Sequence, residues 1–299
     1  MLRQRLITGS LLIVGLVLLL WGDERLSAQI VQRGDTFPWW TGGGDGLLLD
    51  AVALLLLAPL LARELARMLR GSGVAAPTWL TVLAAMLGVE TVGMLPLLPG
   101  PEHAIALAAA ILWGLLALSL IVHTRGRRIE GAVAATGATL LSFVYIGAML
   151  GMWVLVRRHV GPWVVAGAIL TVKASDMGAY FTGVAFGRHK MIPWLSPGKS
   201  WEGFAGGVAA SALVGAGLAA LSLRLPEARD HVPVAVGAVA GLALGVVAPF
   251  GDLVESLFKR SAGVKDSGTA LPGMGGAFDV LDSPLLAGPV VYGALLLLR

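Results

Sequence analysis

Residues 103–123 have the sequence HAIALAAAILWGLLALSLIVH, which contains no Asp, Glu, Lys or Arg. A run of about 20 apolar residues is long enough to cross the roughly 30 Å hydrocarbon core of a bilayer as one helix. Similar runs lie near 6–22, 46–62, 78–98, 131–156, 162–186, 203–223, 232–250 and 283–298. Segments of alternating polarity, which a membrane β-barrel requires, are absent from the sequence. We therefore predict an all-α, polytopic membrane protein, a bundle of about nine transmembrane helices.

The composition of the whole chain agrees with this prediction. Of 299 residues, 57% are hydrophobic and 13% are charged, and the mean hydropathy is +0.82. Soluble domains are about 45–50% apolar and about 25% charged, so a water-soluble globule is excluded. The absence of Cys excludes disulfides, thiolate metal ligands and a cysteine nucleophile. The net charge of +4 is distributed along the chain, so nucleic-acid binding is not expected.

The positions of Lys and Arg indicate how the helices are oriented. With a cytoplasmic N-terminus, 14 of the 22 basic residues fall on the inner side, seven on the outer side, and Lys173 inside a span. Positive charge accumulates on the cytoplasmic side of membrane proteins. We therefore predict an integral protein of a bacterial inner (cell) membrane with the polar loops near 187–202 and 251–282 in the cytoplasm. Arg3 and Arg5 before the first apolar run leave open a cleaved signal peptide.

Polar residues enter the apolar pattern from about residue 171 onward. In the sixth span, Lys173 and Asp176 are three residues apart and can touch on a helix. The pair either neutralises itself within the membrane or marks a functional site, because ionisable groups at membrane depth are costly. We divide the chain accordingly into N-terminal transmembrane helices, 1–170, and a C-terminal transmembrane region that carries the function, 171–299.

The loop at 195–203 has the sequence LSPGKSWEG. Its Pro, Gly and Ser residues predict a turn in which Lys199 and hydroxyls such as that of Ser196 bind an anionic oxygen. The Gly-Lys-Ser triplet resembles part of a P-loop, but the first glycine of that motif is missing and no strand precedes it. A P-loop nucleotidase is therefore excluded, and a loop end with an interfacial lysine is the structural alternative.

The densest polar segment is residues 251–268, GDLVESLFKRSAGVKDSG. On a helix Asp252, Ser256 and Lys259 lie on one face, because they follow one another at i, i+4 and i+7. The glycine-rich sequence PGMGGAFDVLDS follows at 272–283. Carboxylates without Cys or His partners favour Mg²⁺, and basic side chains and free N–H groups ahead of a helix bind phosphate. The set is typical of metal-assisted phosphoryl or nucleotidyl transfer.

These segments resemble the phosphatidate cytidylyltransferase, or CDP-diacylglycerol synthase, family. The C-terminal pattern of that family is matched, with every spacing kept, at Ser256, Lys259, Arg260, Lys265, Asp266, Gly275, Gly276, Asp279 and Asp282. Three positions depart from the pattern: Met274 stands in place of His, Val280 in place of Arg, and Ala277 in place of a larger apolar residue. Since the carboxylates and lysines are all present, we interpret the chain as a divergent active member.

The resemblance implies the formation of CDP-diacylglycerol and pyrophosphate from CTP and phosphatidic acid, by in-line transfer at the cytoplasmic face. It implies Mg²⁺ bound by Asp252, Asp279 and Asp282, and a catalytic role for these residues and Lys259. It implies substrate binding by Ser196, Lys199, Ser256, Arg260, Lys265, Asp266, Gly275 and Gly276. Membrane lipid is a further expected partner, nucleic acid is not, and a second cation and a homodimer are left open.

Two other functions remain open at this point. A related transferase would act on another lipid phosphate, such as a polyprenyl phosphate, because no base-reading or acyl-reading residue is identifiable. An ion-coupled transporter would use Lys173, Asp176, Asp252 and Asp279 as a cation path, and its fold usually has interrupted spans in both halves of the chain. Here these four ionisable residues lie in one half of the chain only, which favours the enzyme.

Overall fold

The structure, a computed structural model, describes residues 2–33, 45–125, 130–224 and 230–296. Apart from two short strands, the regular structure of these residues is helical, so the predicted all-α class is confirmed. The helices are α1 (Leu2–Arg33), α2 (Leu47–Val52), α3 (Ala58–Gly71), α4 (Thr78–Gly93), α5 (Pro101–Arg125), α6 (Ala132–Leu141), α7 (Met149–His159), α8 (Pro162–Phe186), α9 (Trp201–Ser222), α10 (Val234–Ser261) and α11 (Phe278–Leu296). The strands are β1 (Lys190–Ile192) and β2 (Ser196–Ser200). The π-helical segments Ala53–Leu57 and Ser142–Ala148 join α2 to α3 and α6 to α7, and Leu95–Leu97 form a 3₁₀ turn.

Seven helical spans in the described residues are long and apolar enough to cross a membrane. They are Arg3–Ile30, Pro101–Arg125, Ala132–His159, Pro162–Phe186, Trp201–Ser222, Val234–Ser261 and Phe278–Leu296. Two further predicted spans fall outside this set. The span at 78–98 includes α4, which has 16 residues, and the span at 46–62 runs from α2 into α3, which carries Arg63, Glu64, Arg67 and Arg70. A polytopic membrane protein is thus confirmed, but the count of nine is not. Four basic residues used in the orientation argument lie outside the described residues: Arg127, Arg128, Arg229 and Arg299.

The chain divides into two compact units. The first unit consists of residues 1–158 and 258–280, and the second of residues 159–257 and 281–299. This division differs from the sequence boundary at residue 170, because the segment 258–280 packs with the N-terminal helices. The assignment of the chemistry to residues 171–299 stays a prediction.

Backbone contacts between helices bring the first unit together. A Cβ added at Gly88 of α4 would lie 2.8 Å from the Cα of Gly147, so only glycine permits this approach. Ser142 Oγ donates to the carbonyl of Thr81 at 2.8 Å. The buried carboxylate of Asp23 in α1 accepts a hydrogen bond from Leu48 N at 2.8 Å at the start of α2. It therefore caps that helix.

In the second unit, small residues let α8 and α9 pack closely. A Cβ at Gly178 would lie 2.8 Å from the carbonyl oxygen of Gly206. Before α9, the chain forms an antiparallel hairpin in which Lys190 pairs with Ser200 and Ile192 with Ser196. The turn predicted in the loop 195–203 is therefore wrong in position, because residues 196–200 are extended by pairing with β1 and the turn lies at 193–195.

Candidate active site

The residues predicted from the sequence are distributed over both units. The first unit contains Lys259, Arg260, Lys265, Asp266, Gly275, Gly276 and Asp279. The second unit contains Ser196, Lys199, Asp252, Ser256 and Asp282. In each unit some of these residues join a network of charged groups: Lys259, Gly276 and Asp279 in the first, and Lys199, Asp252 and Asp282 in the second.

In the first unit, the glycine-rich segment between α10 and α11 folds into a tight turn. Leu271 N donates to the carbonyl of Gly275 at 2.8 Å. Gly275 has a φ of +97°, in the left-handed region that favours glycine. A Cβ added at this position would collide with the Asp279 carboxylate. Glycine at 275 therefore lets the turn close against the first residues of α11.

Replacing Gly275 by Ala is expected to lower the free energy of unfolding by more than replacing Gly263 by Ala. Both positions have positive φ, which costs a non-glycine residue about 1–2 kcal/mol. The Cβ at Gly263 meets open space, whereas the one at Gly275 meets Asp279. Denaturation in detergent measures the difference, which we expect to exceed about 1 kcal/mol. Equal losses in the two variants would contradict the close packing of the turn on Asp279.

Asp279, in the first turn of α11, is the centre of this network. Its Oδ1 lies 2.8 Å from Lys259 Nζ. Its Oδ2 accepts hydrogen bonds from Ser267 N at 2.9 Å and Gly276 N at 2.7 Å, and lies 2.8 Å from Ser267 Oγ. The Gly276 N–H, predicted to bind substrate phosphate, is thus used inside the protein, and phosphate would have to displace this bond. The assignment of Asp279 as a metal ligand stays a prediction.

Two residues of α3 that the sequence analysis missed complete the network. The buried carboxylate of Glu64 accepts hydrogen bonds from Ala277 N at 3.1 Å and Phe278 N at 2.8 Å. Arg67 Nη2 donates to the carbonyl of Ser267 at 2.7 Å. The available signal was a carboxylate and an arginine three residues apart, just beyond the span predicted at 46–62.

The remaining predicted residues of the first unit face solvent. Arg260, Lys265 and Asp266 are exposed, whereas the Lys259 side chain is 18% exposed. Exposed cationic side chains beside a partly buried ammonium suit the oxygens of a phosphate chain, because each oxygen needs a donor. The role of these residues in substrate binding stays a prediction.

In the second unit, Lys199 connects β2 to α10. Its Nζ lies 3.0 Å from Asp252 Oδ2 and donates to the carbonyl of Pro249 at 2.7 Å. Pro249 has no N–H and cannot bond the carbonyl of Gly245. Ser175 Oγ of α8 lies 3.4 Å from that carbonyl oxygen instead. Ser175 and Lys199 thus contact backbone carbonyls of α10 in the two turns that precede Asp252.

Three carboxyl groups meet beside this lysine. Ser283 Oγ lies 2.9 Å from Asp252 Oδ1 and 3.5 Å from Asp176 Oδ1. The side chains of Asp252 and Asp282 are hydrogen-bonded to one another. Asp176 also lies 3.2 Å from Lys173 Nζ, which confirms the predicted contact in the sixth span. The second unit thus combines carboxylates with two ammonium groups.

Close helix packing makes this cluster possible. A Cβ added at Gly251 would lie 2.7 Å from the Cα of Ser283, so the glycine allows α10 to approach the second part of α11. Ser256 lies one turn beyond Asp252 on α10 and is half-buried, and so is Ser196 in β2. Asp252 and Ser256 thus lie one turn apart on α10, as predicted, and both are partly exposed.

The carboxylate pair can be tested for its fit to Mg²⁺. No group of three or more His, Asp or Glu side chains in the described part of the chain is arranged to hold a metal ion. Asp252 and Asp282 are nevertheless in direct contact, and two carboxylates repel one another unless a proton or a cation lies between them. Mg²⁺ is usually bound by one or two carboxylates together with waters and substrate phosphates. The pair fits this requirement.

The chain is similar to several proteins named phosphatidate cytidylyltransferase. The phosphatidate cytidylyltransferase of Chlamydia pneumoniae is 36% identical over 177 residues, and the match covers 56% of each chain. That of Mycobacterium leprae is 35% identical over 191 residues, covering 60% of this chain and 59% of the relative. In both cases the matched region spans less than two thirds of the relative's length.

A longer match is found with the phosphatidate cytidylyltransferase of Mycobacterium bovis. It is 32% identical over 257 residues, covering 83% of this chain and 80% of the relative. The sequence pattern described as the cytidylyltransferase family matches residues 40–298. The resemblance recognised in the C-terminal residues is thereby confirmed and extends into the N-terminal half. This membrane protein belongs to the cytidylyltransferase family.

Proposed function

We propose that the protein transfers a cytidylyl group from CTP to phosphatidic acid, giving CDP-diacylglycerol and pyrophosphate. The observation that carries the proposal is the similarity over 83% of the chain to a protein named phosphatidate cytidylyltransferase. The two networks supply the chemistry that this reaction needs, since both substrates are anions. We place the reaction at the cytoplasmic face on the strength of the basic residues in the polar loops.

In the proposed reaction, an oxygen of the lipid phosphate forms a bond to the α-phosphorus of CTP, and the bond from that phosphorus to the bridging oxygen of pyrophosphate breaks. A phosphate monoester is largely a dianion near neutral pH, so no strong general base is needed. Lys259 is held by Asp279 at 2.8 Å, and together with Arg260 and Lys265 it would bind phosphate oxygens. Catalysis would then depend on positioning and charge stabilisation.

The second unit supports a role for Mg²⁺. Asp252 and Asp282 would hold the ion, and it would supply positive charge for the phosphate oxygens and the leaving pyrophosphate. Lys199, fixed between Asp252 and the Pro249 carbonyl, would donate to a substrate oxygen. Metal binding by Asp279 and a second cation are part of the same proposal.

Activity is expected to require Mg²⁺ or Mn²⁺ and to be lost when a chelator is added to the purified protein. Adding Mg²⁺ back in excess of the chelator should restore turnover. Adding Ca²⁺ should restore much less turnover, because Ca²⁺ prefers more ligands at longer distances. Labelled CTP with phosphatidic acid in mixed micelles provides the assay. Turnover that persists in excess chelator would contradict the metal-assisted mechanism.

The choice of substrate is tested by competition among acceptors and donors. Phosphatidic acid is compared with a polyprenyl phosphate in otherwise identical micelles, and CTP is compared with UTP and ATP. We expect nucleotidyl-lipid to form mainly from CTP and phosphatidic acid. Preferred use of polyprenyl phosphate would replace the proposed acceptor by the alternative that the sequence left open.

A further inference from the structure

Glu64 is a buried acid whose position is set by the start of α11. Its side chain in α3 is 3% exposed, and its two oxygens accept hydrogen bonds from the N–H groups of Ala277 and Phe278. The first N–H groups of a helix have no partner within the helix and favour a negative charge. Glu64 therefore caps α11 from a helix more than 200 residues earlier in the chain.

Ser267 connects this cap to Asp279. Its Oγ lies 3.1 Å from Glu64 Oε2 and 2.8 Å from Asp279 Oδ2, and its backbone N–H donates to Asp279. A hydroxyl has one proton to donate, so the two carboxylates share this group. Since Asp279 also holds Lys259, hydrogen bonds run without interruption from Glu64 through Ser267 and Asp279 to Lys259.

Two glycines, Gly268 and Gly276, allow the 267–278 loop to pack closely against Glu64. A Cβ added at Gly268 would lie 2.5 Å from Glu64 Oε1, and one at Gly276 would lie 2.5 Å from Glu64 Oε2. Real Cβ atoms do not approach oxygen this closely, so side chains at these positions would displace the loop from Glu64. Arg67, one turn later on α3, donates a hydrogen bond to the Ser267 carbonyl. One turn of α3 thus contacts both ends of the loop.

We infer that Glu64 is a positioning residue of the transferase, which holds the 267–278 loop and the start of α11 so that Asp279 and Lys259 keep the arrangement that the substrate needs. This inference rests on the proposed function. Glu64 itself acts through the loop and needs no contact with substrate. Its loss should therefore affect the rate of the chemical step more than substrate binding.

Replacing Glu64 by Gln keeps the volume but puts an NH₂ group against the N–H of either Ala277 or Phe278. We expect kcat to fall roughly ten- to a hundredfold, with a change of less than about threefold in KM for CTP. Backbone amides of 265–278 should exchange with solvent faster in the same variant. Glu64→Asp keeps the charge and should recover part of kcat, which also gives a second variant if Glu64→Gln does not fold.

Asp23 provides the matched control, because it is also buried and also accepts backbone N–H groups at a helix start, those of Leu48 and Leu49. Asp23→Asn should increase exchange around 47–52 and lower thermal stability, while kcat per folded molecule stays within about twofold. Unchanged exchange at 265–278 in Glu64→Gln would overturn the inference that Glu64 holds the loop. Faster exchange with unchanged kcat would make Glu64 purely structural. If the wild type forms no CDP-diacylglycerol, the proposed function fails, and exchange still decides whether Glu64 holds the loop.

Discussion

Replacing Asp252 by Asn is expected to reduce turnover at least about a hundredfold while the protein stays folded. The substitution preserves volume and one oxygen acceptor, so Ser283 and Lys199 keep a hydrogen-bond partner. It removes the charge that opposes Lys199 at 3.0 Å and lowers the negative charge of the Asp252–Asp282 pair. Both the cation and the lysine would then be poorly placed. The initial rate of CDP-diacylglycerol formation in mixed micelles measures the effect.

Asp230→Asn is the control for this variant. Asp230 also belongs to the second unit, and its carboxylate accepts the backbone N–H of Gly161 at 2.5 Å ahead of α8. We expect this variant to keep turnover within about twofold. Full activity of Asp252→Asn would remove the carboxylate pair from the mechanism. Equal losses in both variants would mean that the effect comes from stability alone.

Replacing Asp279 by Asn is expected to cost a similar factor for a different reason. An amide oxygen can still accept from Gly276 N and Ser267 N, but the charge that holds Lys259 at 2.8 Å is lost. The lysine side chain would then leave its position, and its rotational freedom would have to be restricted again in each turnover. We expect a loss of roughly a hundredfold, mainly in kcat, from steady-state kinetics with varied CTP.

Two comparisons make this result interpretable. Asp50→Asn removes the acid of another ion pair in the first unit, with Arg158 at 3.1 Å, and should leave kcat per folded molecule within about twofold. Lys259→Gln should resemble Asp279→Asn, and the double variant should lose little more than either single variant, because the two residues act as one group. Additive losses would show that Asp279 acts independently of Lys259.

The sequence predicted what depends on local patterns. Uninterrupted apolar runs are helices because a bilayer leaves the backbone no other partner, and Lys173 contacts Asp176 because residues three apart lie side by side on a helix. The predicted count of about nine spans is not confirmed in the described residues, because α4 is short and α3 combines apolar residues with charge. For such helices, length and composition do not decide between crossing a membrane and packing inside a protein.

The missing part of the site depends on contacts between distant segments. Glu64 and Ser267 are 203 residues apart, and no periodicity in either segment relates them. For the same reason the sequence predicted free N–H groups ahead of α11, whereas carboxylates of α3 and α11 accept those hydrogen bonds. The extended conformation of β2 likewise depends on pairing with β1, since Pro and Gly at 197 and 198 alone predict a turn.

The most direct test of cytidylyl transfer follows the two ends of CTP separately. Purified protein in mixed micelles with phosphatidic acid and Mg²⁺ receives CTP labelled at the α-phosphate in one reaction and at the γ-phosphate in another. We predict that the α label appears in CDP-diacylglycerol and the γ label in pyrophosphate. Label from the γ position in the lipid would indicate phosphoryl transfer instead, and no label in the lipid from folded protein would contradict the proposed reaction.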